Sequence, residues 1–173
     1  MGDRLINQTC DRAIVDFLRG DRDALAIIYD CMARMILSVS YAITENYQDA
    51  EDVLQETMIE ITKYAHTYRR GSNAKAWILA MIRHLSIDIV RKRKSIVSND
   101  ALEMVSNPET HSDLSQIEVL DMLKTLDDEK RQIIVLRLYT ELPYKEIASI
   151  MGISVVAAQK KYQRAIRELK DYF

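Results

Sequence analysis

Five carboxylates, Asp49, Glu51, Asp52, Glu56 and Glu60, fall in the stretch YQDAEDVLQETMIEI that begins at Tyr47, with no Lys or Arg between them. Acids at this density can hold a metal, run acid–base chemistry, or meet a basic partner. A di-metal bundle needs carboxylates converging inward, together with Glu-x-x-His pairs. The chain has no such pair, and His66, His84 and His111 are scattered. At about 100° per residue, Ala50, Val53, Leu54, Thr57, Ile61 and Tyr64 share one side of a helix, while Asp52, Gln55, Glu56 and Ile59 share another. The acids therefore line a flank. A solvated face is the ordinary reading of such a flank. Ile59 in its middle, and the lack of neighbouring bases, favour a docking surface for a basic partner.

A basic counterpart follows. Residues 83–94 carry Arg83, Arg91, Lys92, Arg93 and Lys94 against Asp88 alone. On a helix, Ile78, Met81, Ile82, Leu85 and Ile89 form a core stripe, and Arg83, His84, Ile87, Arg91 and Lys94 occupy another face. Bases at a helix end often serve only the macrodipole. A basic face that climbs several turns suits phosphates better. Just before it, YRRGSNAKAW sets Tyr68, Arg69, Arg70, Ser72 and Asn73 in a loop broken by Gly71, near Trp77. Aromatic planes and cationic walls suit single-stranded bases, although Trp77 also fits a core.

The third candidate lies in LPYKEIASIMGISVVAAQKKYQRAIRELK. Pro143 stands near a helix start, Ile147 and Ala148 pack, Gly152 turns, Ile153 makes a core contact and Ser154 caps a basic helix. That order is a helix-turn-helix, whose second helix enters the major groove. An ordinary αα-hairpin shares the layout without the basic, polar face. Val155 and Ala158 are expected inward, and Gln159, Lys160, Gln163 and Arg164 outward, where Gln and Arg can pair with base edges.

These candidates must be positioned by helices. Gly (4) and Pro (2) are scarce, while nearly half of the 173 residues are hydrophobic. The periodicity predicts helices at about 9–19, 22–44 (capped by Asp21, with Leu25, Ile28, Tyr29, Met32, Ile36, Val39 and Ile43 on one face), 48–66 and 74–94. Further helices are expected near 115–126, 128–140, 144–151 and 155–171. Residues 95–115, with Ser, Asn, Asp, Thr and Pro108 and only a brief apolar cluster at Leu102, Met104 and Val105, carry four acids and no bases. They read as an acidic linker between a domain at 1–94 and another at 116–173. The expected fold is all-α, with two small helical domains joined by a flexible linker. Apolar runs read as too short for a bilayer. The N-terminus lacks a secretion-signal core, and Ile6 sits where myristoylation wants Ser or Thr. Cys10 and Cys31 make neither a disulfide framework nor a zinc spacing. A reducing, cytoplasmic setting is expected, with no cofactor, no metal and no catalytic residue.

Taken in order, DAEDVLQETMIEI, YRRGSNAKAWILAMIRHLSIDIVRKRK and LDDEKRQIIVLRLYTELPYKEIASIMGISV resemble regions 2 and 4 of bacterial RNA polymerase sigma factors. The likeness is to the sigma-70 superfamily, in its short extracytoplasmic-function form, across nearly the whole chain. It implies a non-enzymatic subunit that binds core polymerase and directs it to promoters. The β′ clamp helices would meet Asp49, Asp52, Gln55, Glu56 and Ile59, and the β flap is a second expected contact. Thr67–Asn73 resembles the loop that captures a flipped base of the minus-ten element. Trp77–Lys94 resembles the helix that reads and melts that element, with Asp88-x-x-Arg91 as its signature. Ser154, Gln159, Lys160, Gln163 and Arg164 would read the minus-thirty-five element. Here Ala158, Lys161 and Tyr162 replace the usual larger aliphatic, Arg and Leu. The acidic linker resembles a nucleic-acid mimic in the polymerase's RNA path, and an anti-sigma factor is an implied partner. A stand-alone helix-turn-helix regulator and a carboxylate metalloenzyme remain as alternatives. The first would make no use of the acidic helix, and the second is opposed by outward-facing acids.

Overall fold

The computed structural model describes residues 2–97, Leu120 and residues 122–172. Most of the acidic spacer, and the start of the helix expected near 115, lie outside the described residues. Four helices form the first unit: α1 (Asp3–Leu18), α2 (Ala24–Thr44), α3 (Tyr47–Tyr64) and α4 (Ala74–Val97). The second unit contains α5 (Asp128–Ile134), which widens into a π turn over Val135–Tyr139, then α6 (Tyr144–Met151) and α7 (Val155–Tyr172).

The apolar stripe of α2 decides the first unit. Ile28, Met32, Ile36, Val39 and Ile43 are buried against α1, α3 and α4. Full burial of each such side chain stabilises by about 1.5–3 kcal/mol. By length and composition α2 is also apolar enough to cross a membrane, contrary to the expectation from apolar runs. Here it is the central helix of the bundle, which accounts for that apolarity. Asn46 accepts the Asp49 N–H at 2.9 Å to start α3, and Asn73 accepts the Ala76 N–H at 3.0 Å to start α4. Such caps contribute about 1 kcal/mol each.

Several expected boundaries and faces differ. The first helix begins at Asp3, six residues before the expected start, because Ile6 joins Cys10, Ala13 and Ile14 on a buried stripe. Asp21 does not cap α2 but accepts the Asp23 N–H at 3.0 Å in a turn ahead of it. Tyr29, Tyr64 and Val155, expected in cores, are 47 %, 46 % and 41 % exposed. Tyr29 lies one position beyond the stripe through Ile28. Tyr64 ends α3, where the chain tightens into a 3-10 turn, and Val155 opens α7 before Ala158 reaches the core.

The two units pack directly on each other. Arg131 on α5, 2 % exposed, donates Nε to the Ala42 carbonyl at 2.6 Å and Nη1 to Glu45 at 2.8 Å, both on the first unit. Its Nη2 reaches Asp128 at 2.8 Å. Ser38 donates to the Tyr139 hydroxyl at 3.2 Å, and Lys124 to the Tyr41 hydroxyl at 3.1 Å. Lys75, buried at the start of α4, donates Nζ to the Thr140 carbonyl at the end of the π turn.

Burial pushes the Lys75 ammonium down to about 8 from its ordinary 10.5, with the Glu141 carboxylate opposing the shift. Between those values the unfolded chain binds more protons than the folded one, so stability rises with pH through that window. The melting temperature should therefore climb by a few degrees from about pH 8 to pH 10. In Lys75→Met the rise should flatten. Equal slopes in both proteins would place the titrating group elsewhere.

Candidate nucleic-acid interface

On α3, Val53, Leu54, Thr57 and Ile61 are buried, and Asp52, Gln55 and Ile59 are exposed on the outer flank. Ile59 is 46 % exposed amid the acids, as the periodicity requires. The absence of compensating bases holds only along the sequence. Lys63 pairs with Glu60 at 2.9 Å and with Glu56 at 3.5 Å, and Arg131 pairs with Glu45. Asp49 is half-buried against Arg93 at 2.6 Å, and Arg93 also donates to the Thr44 carbonyl at 2.8 Å. Burial raises the Asp49 carboxyl despite Arg93, with Asp52 adding to the rise. Asp49 thus joins α3 to α4, whereas Asp52 and Gln55 stand outward. Among the described residues no group of three His, Cys, Asp or Glu side chains could hold a metal ion.

The loop before α4 is built from its neighbours. Tyr68 is buried, tilted on Trp77 at 5.2 Å between ring centroids, and its hydroxyl donates to Asp11 at 2.6 Å. Burial and that carboxylate hold the phenol above its ordinary range. The same Asp11 oxygen accepts the Gly71 N–H at 2.7 Å, with Gly71 at φ +77°, a backbone state that favours glycine. Asn7 accepts the Lys75 N–H at 3.1 Å. Tyr68 is therefore a buttress in this arrangement, and Asn73 a cap, while Arg69, Arg70 and Ser72 are exposed at the loop surface. Asp11 and Asn7 are missed in the sequence because their partners lie about sixty residues away. Their half-buried position on α1, beside the stripe through Cys10 and Ile14, is the one signal that could have raised them.

The basic face of α4 is divided. His84 and Arg91 are exposed and both reach Asp88, at 3.3 and 3.4 Å, and Lys94 is exposed. Ile87 is half-buried. Arg83 is turned to the second unit, donating Nε to Gln132 at 2.9 Å and Nη1 to the Ile150 carbonyl at 3.4 Å. Arg83 is thus apart from the exposed Arg91 and Lys94 in this closed arrangement.

The second unit carries the helix-turn-helix. Gly152 takes φ +66°, ending α6, and Ser154 Oγ accepts the Ala157 N–H at 3.1 Å, capping α7. Ala158 and Ala165 are fully buried, and Gln159, Lys160, Gln163 and Arg164 are exposed together on α7. The unusual residues have structural partners. Tyr162 packs edge-on against Tyr144 at 5.9 Å, and Lys161 pairs with Glu129 on α5.

This order of surfaces matches known proteins. Residues 28–96 match Sigma-70 region 2, and residues 116–169 match Sigma-70, region 4. The chain is 30 % identical over 152 residues to the ECF RNA polymerase sigma factor SigM of Bacillus subtilis, covering 84 % of this chain and 93 % of SigM. It belongs to the ECF sigma factors. Similarity to SigW of Bacillus subtilis is 26 % over 168 residues, 88 % of the sigma factor here and 90 % of SigW. The fold of the sigma factor is that of RpoE solved with the anti-sigma factor NepR from Bartonella quintana. That likeness has a TM-score of 0.74 and 21 % identity, covering 86 % and 96 % of the two chains. It is also that of CnrH solved with the cytosolic domain of CnrY, at TM-score 0.73 and 18 % identity, covering 95 % and 96 %. The stand-alone regulator gains no support from these matches.

Proposed function

We propose that this sigma factor binds core RNA polymerase through the exposed flank of α3, with Asp52, Gln55, Glu56 and Ile59 facing the β′ clamp helices. Asp49 then acts mainly by holding Arg93 and the start of α3. The two working units are taken as read in the sequence, 1–94 and 116–173, with the acidic linker between them and α4 running three residues into it. Promoter DNA is the second partner. The flipped base of the minus-ten element is received at Arg69, Arg70 and Ser72, on a loop that Tyr68, Asn73 and Asp11 hold in shape. Unstacking a base costs a few kcal/mol, and a preformed loop offsets part of it. Arg91, His84 and Lys94 continue this surface along α4 beside Ile87.

The observation that carries the reading is the exposed row Gln159, Lys160, Gln163 and Arg164 on a capped helix, on the same chain as the acidic flank. Neither surface has a use in the other's absence for a subunit that must join polymerase to a promoter. Arg83 can take part in minus-ten contacts only after it leaves Gln132 and Ile150, so promoter engagement requires the two units to separate. The likeness to RpoE, solved with the anti-sigma factor NepR, supports such a partner for this chain as well. A cytoplasmic location follows from that role.

Gln159→Ala or Arg164→Ala should relax base preference in the minus-thirty-five element, by about 1–3 kcal/mol where the contact is bidentate. Lys170→Ala, at the exposed end of α7, should affect all promoters alike or hardly at all. Selection from a randomised minus-thirty-five library reads both. If all three variants weaken every promoter equally, α7 does not read bases directly.

A further inference from the structure

The packing of α1 on α2 brings together the chain's two cysteines, twenty-one residues apart in sequence, with their sulfurs 3.4 Å apart. Cys10 is fully buried, and Cys31 is partly exposed. We propose that Cys10 and Cys31 form an oxidant-responsive dithiol, which a hydroperoxide converts to an intramolecular disulfide fastening α1 to α2.

The geometry assigns the two sulfurs different tasks. Cys31 can be reached from solvent, and its thiol donates to the Ile28 carbonyl at 3.5 Å while its sulfur faces Cys10. The Cys10 S–H donates toward Cys31 and pulls the Cys31 thiol down, against its own burial. Cys10 is held up by the same contact and by burial. The thiolate is the reactive form, so Cys31 is the attacking sulfur and Cys10 the resolving one. In the first step the Cys31 thiolate attacks one oxygen of the hydroperoxide. An S–O bond forms, the O–O bond breaks, and the leaving oxygen takes a proton to depart as an alcohol or water. Cys31 is then a sulfenic acid. In the second step the Cys10 sulfur displaces that hydroxyl. An S–S bond forms, the S–O bond breaks, and water leaves with the Cys10 proton. Two thiols are oxidised, and one hydroperoxide is reduced to alcohol and water.

The neighbours of Cys10 give the bond a consequence. Asp11, the next residue, holds Tyr68 and Gly71, and Asn7 on the same helix holds Lys75. Fastening α1 to α2 therefore steadies the support of the Thr67–Asn73 loop. That consequence for promoter opening rests on the function proposed above, whereas the thiol chemistry does not.

The test treats the purified full-length chain with a modest excess of hydrogen peroxide. The intact mass should fall by two hydrogens per chain, without a linked dimer, and dithiothreitol should restore it. Peptide mapping should find Cys10 joined to Cys31. The melting temperature should rise by about 5–10 °C, as for a bond closing a loop of this size. Cys10→Ala should stop at a Cys31 sulfenic acid that dimedone captures, and Cys31→Ala should leave Cys10 unreacted. Circular dichroism checks that both variants fold, and if either does not, the wild-type mapping alone decides. The proposal is overturned if both thiols persist under peroxide that fully oxidises glutathione in the same time. It is equally overturned if the linkage forms between chains or if Cys10 reacts first.

Discussion

Reversing two charges with Asp52→Arg and Glu56→Arg should reduce affinity for core polymerase at least a hundredfold, which is about 2.7 kcal/mol or more. The fold should survive. Asp52 is exposed, Glu56 stands beside the buried stripe of Val53, Leu54, Thr57 and Ile61, and Lys63 keeps Glu60 when Glu56 is lost. Two new cations would face a basic partner across a short distance, and like charges there cost several kcal/mol. Asp49→Asn is the informative companion. It removes the carboxylate that holds Arg93, so its main effect should be on stability, with a smaller effect on polymerase binding. Binding titrations with labelled core polymerase separate the two. Native helicity with unchanged polymerase affinity in the double variant would remove α3 from the interface.

Arg131→Ala should open the closed arrangement. The guanidinium is almost wholly buried and joins α5 to the Ala42 carbonyl and Glu45 on the first unit. Breaking a buried pair costs about 3–5 kcal/mol, and less here because Glu45 and Asp128 can turn to water, so about 2–4 kcal/mol is expected. The Ala42 carbonyl loses its side-chain donor. Small-angle scattering should show a larger radius of gyration, and the melting transition should fall or split in two. Arg131→Lys should rescue only part of this, since an ammonium cannot serve three acceptors in the fork geometry of a guanidinium. An unchanged radius with a lowered melting temperature would make Arg131 a stabilising residue of the second unit and not the contact that joins the two.

The all-α fold and most of its cores could be read from periodicity. Ile28, Met32, Ile36, Val39 and Ile43 repeat at helical spacing, and the helix-turn-helix declares itself through Gly152, Ser154 and the polar face of α7. Tyr29 and Tyr64 escaped because an aromatic at the edge of a stripe fits a core or a surface equally well in sequence. The electrostatics were the least legible part. Arg93, Lys63 and Arg131 neutralise acids of the 45–60 segment from other positions in the chain, and only the folded helices bring Arg93 to Asp49. Arg93 could have been suspected, since it follows Ile89 by four residues on the packed side of α4. Tyr68 shows the reverse case. Its place among Arg69, Arg70 and Gly71 suggests a stacking plane, and the structure buries it under Trp77 with Asp11 on its hydroxyl. No local pattern foretells Arg83 on Gln132, because that contact exists only between the two units.

Reconstituted transcription tests most directly whether the chain joins polymerase to promoters. Core polymerase is given a library of promoter fragments with and without the full-length chain, and the initiated transcripts are sequenced. Initiation should depend on the chain, arise from templates sharing two spaced elements, and be lost with Asp52→Arg and Glu56→Arg. A chain that binds duplex DNA by itself as a dimer, and leaves the transcripts of core polymerase unchanged, would contradict that role.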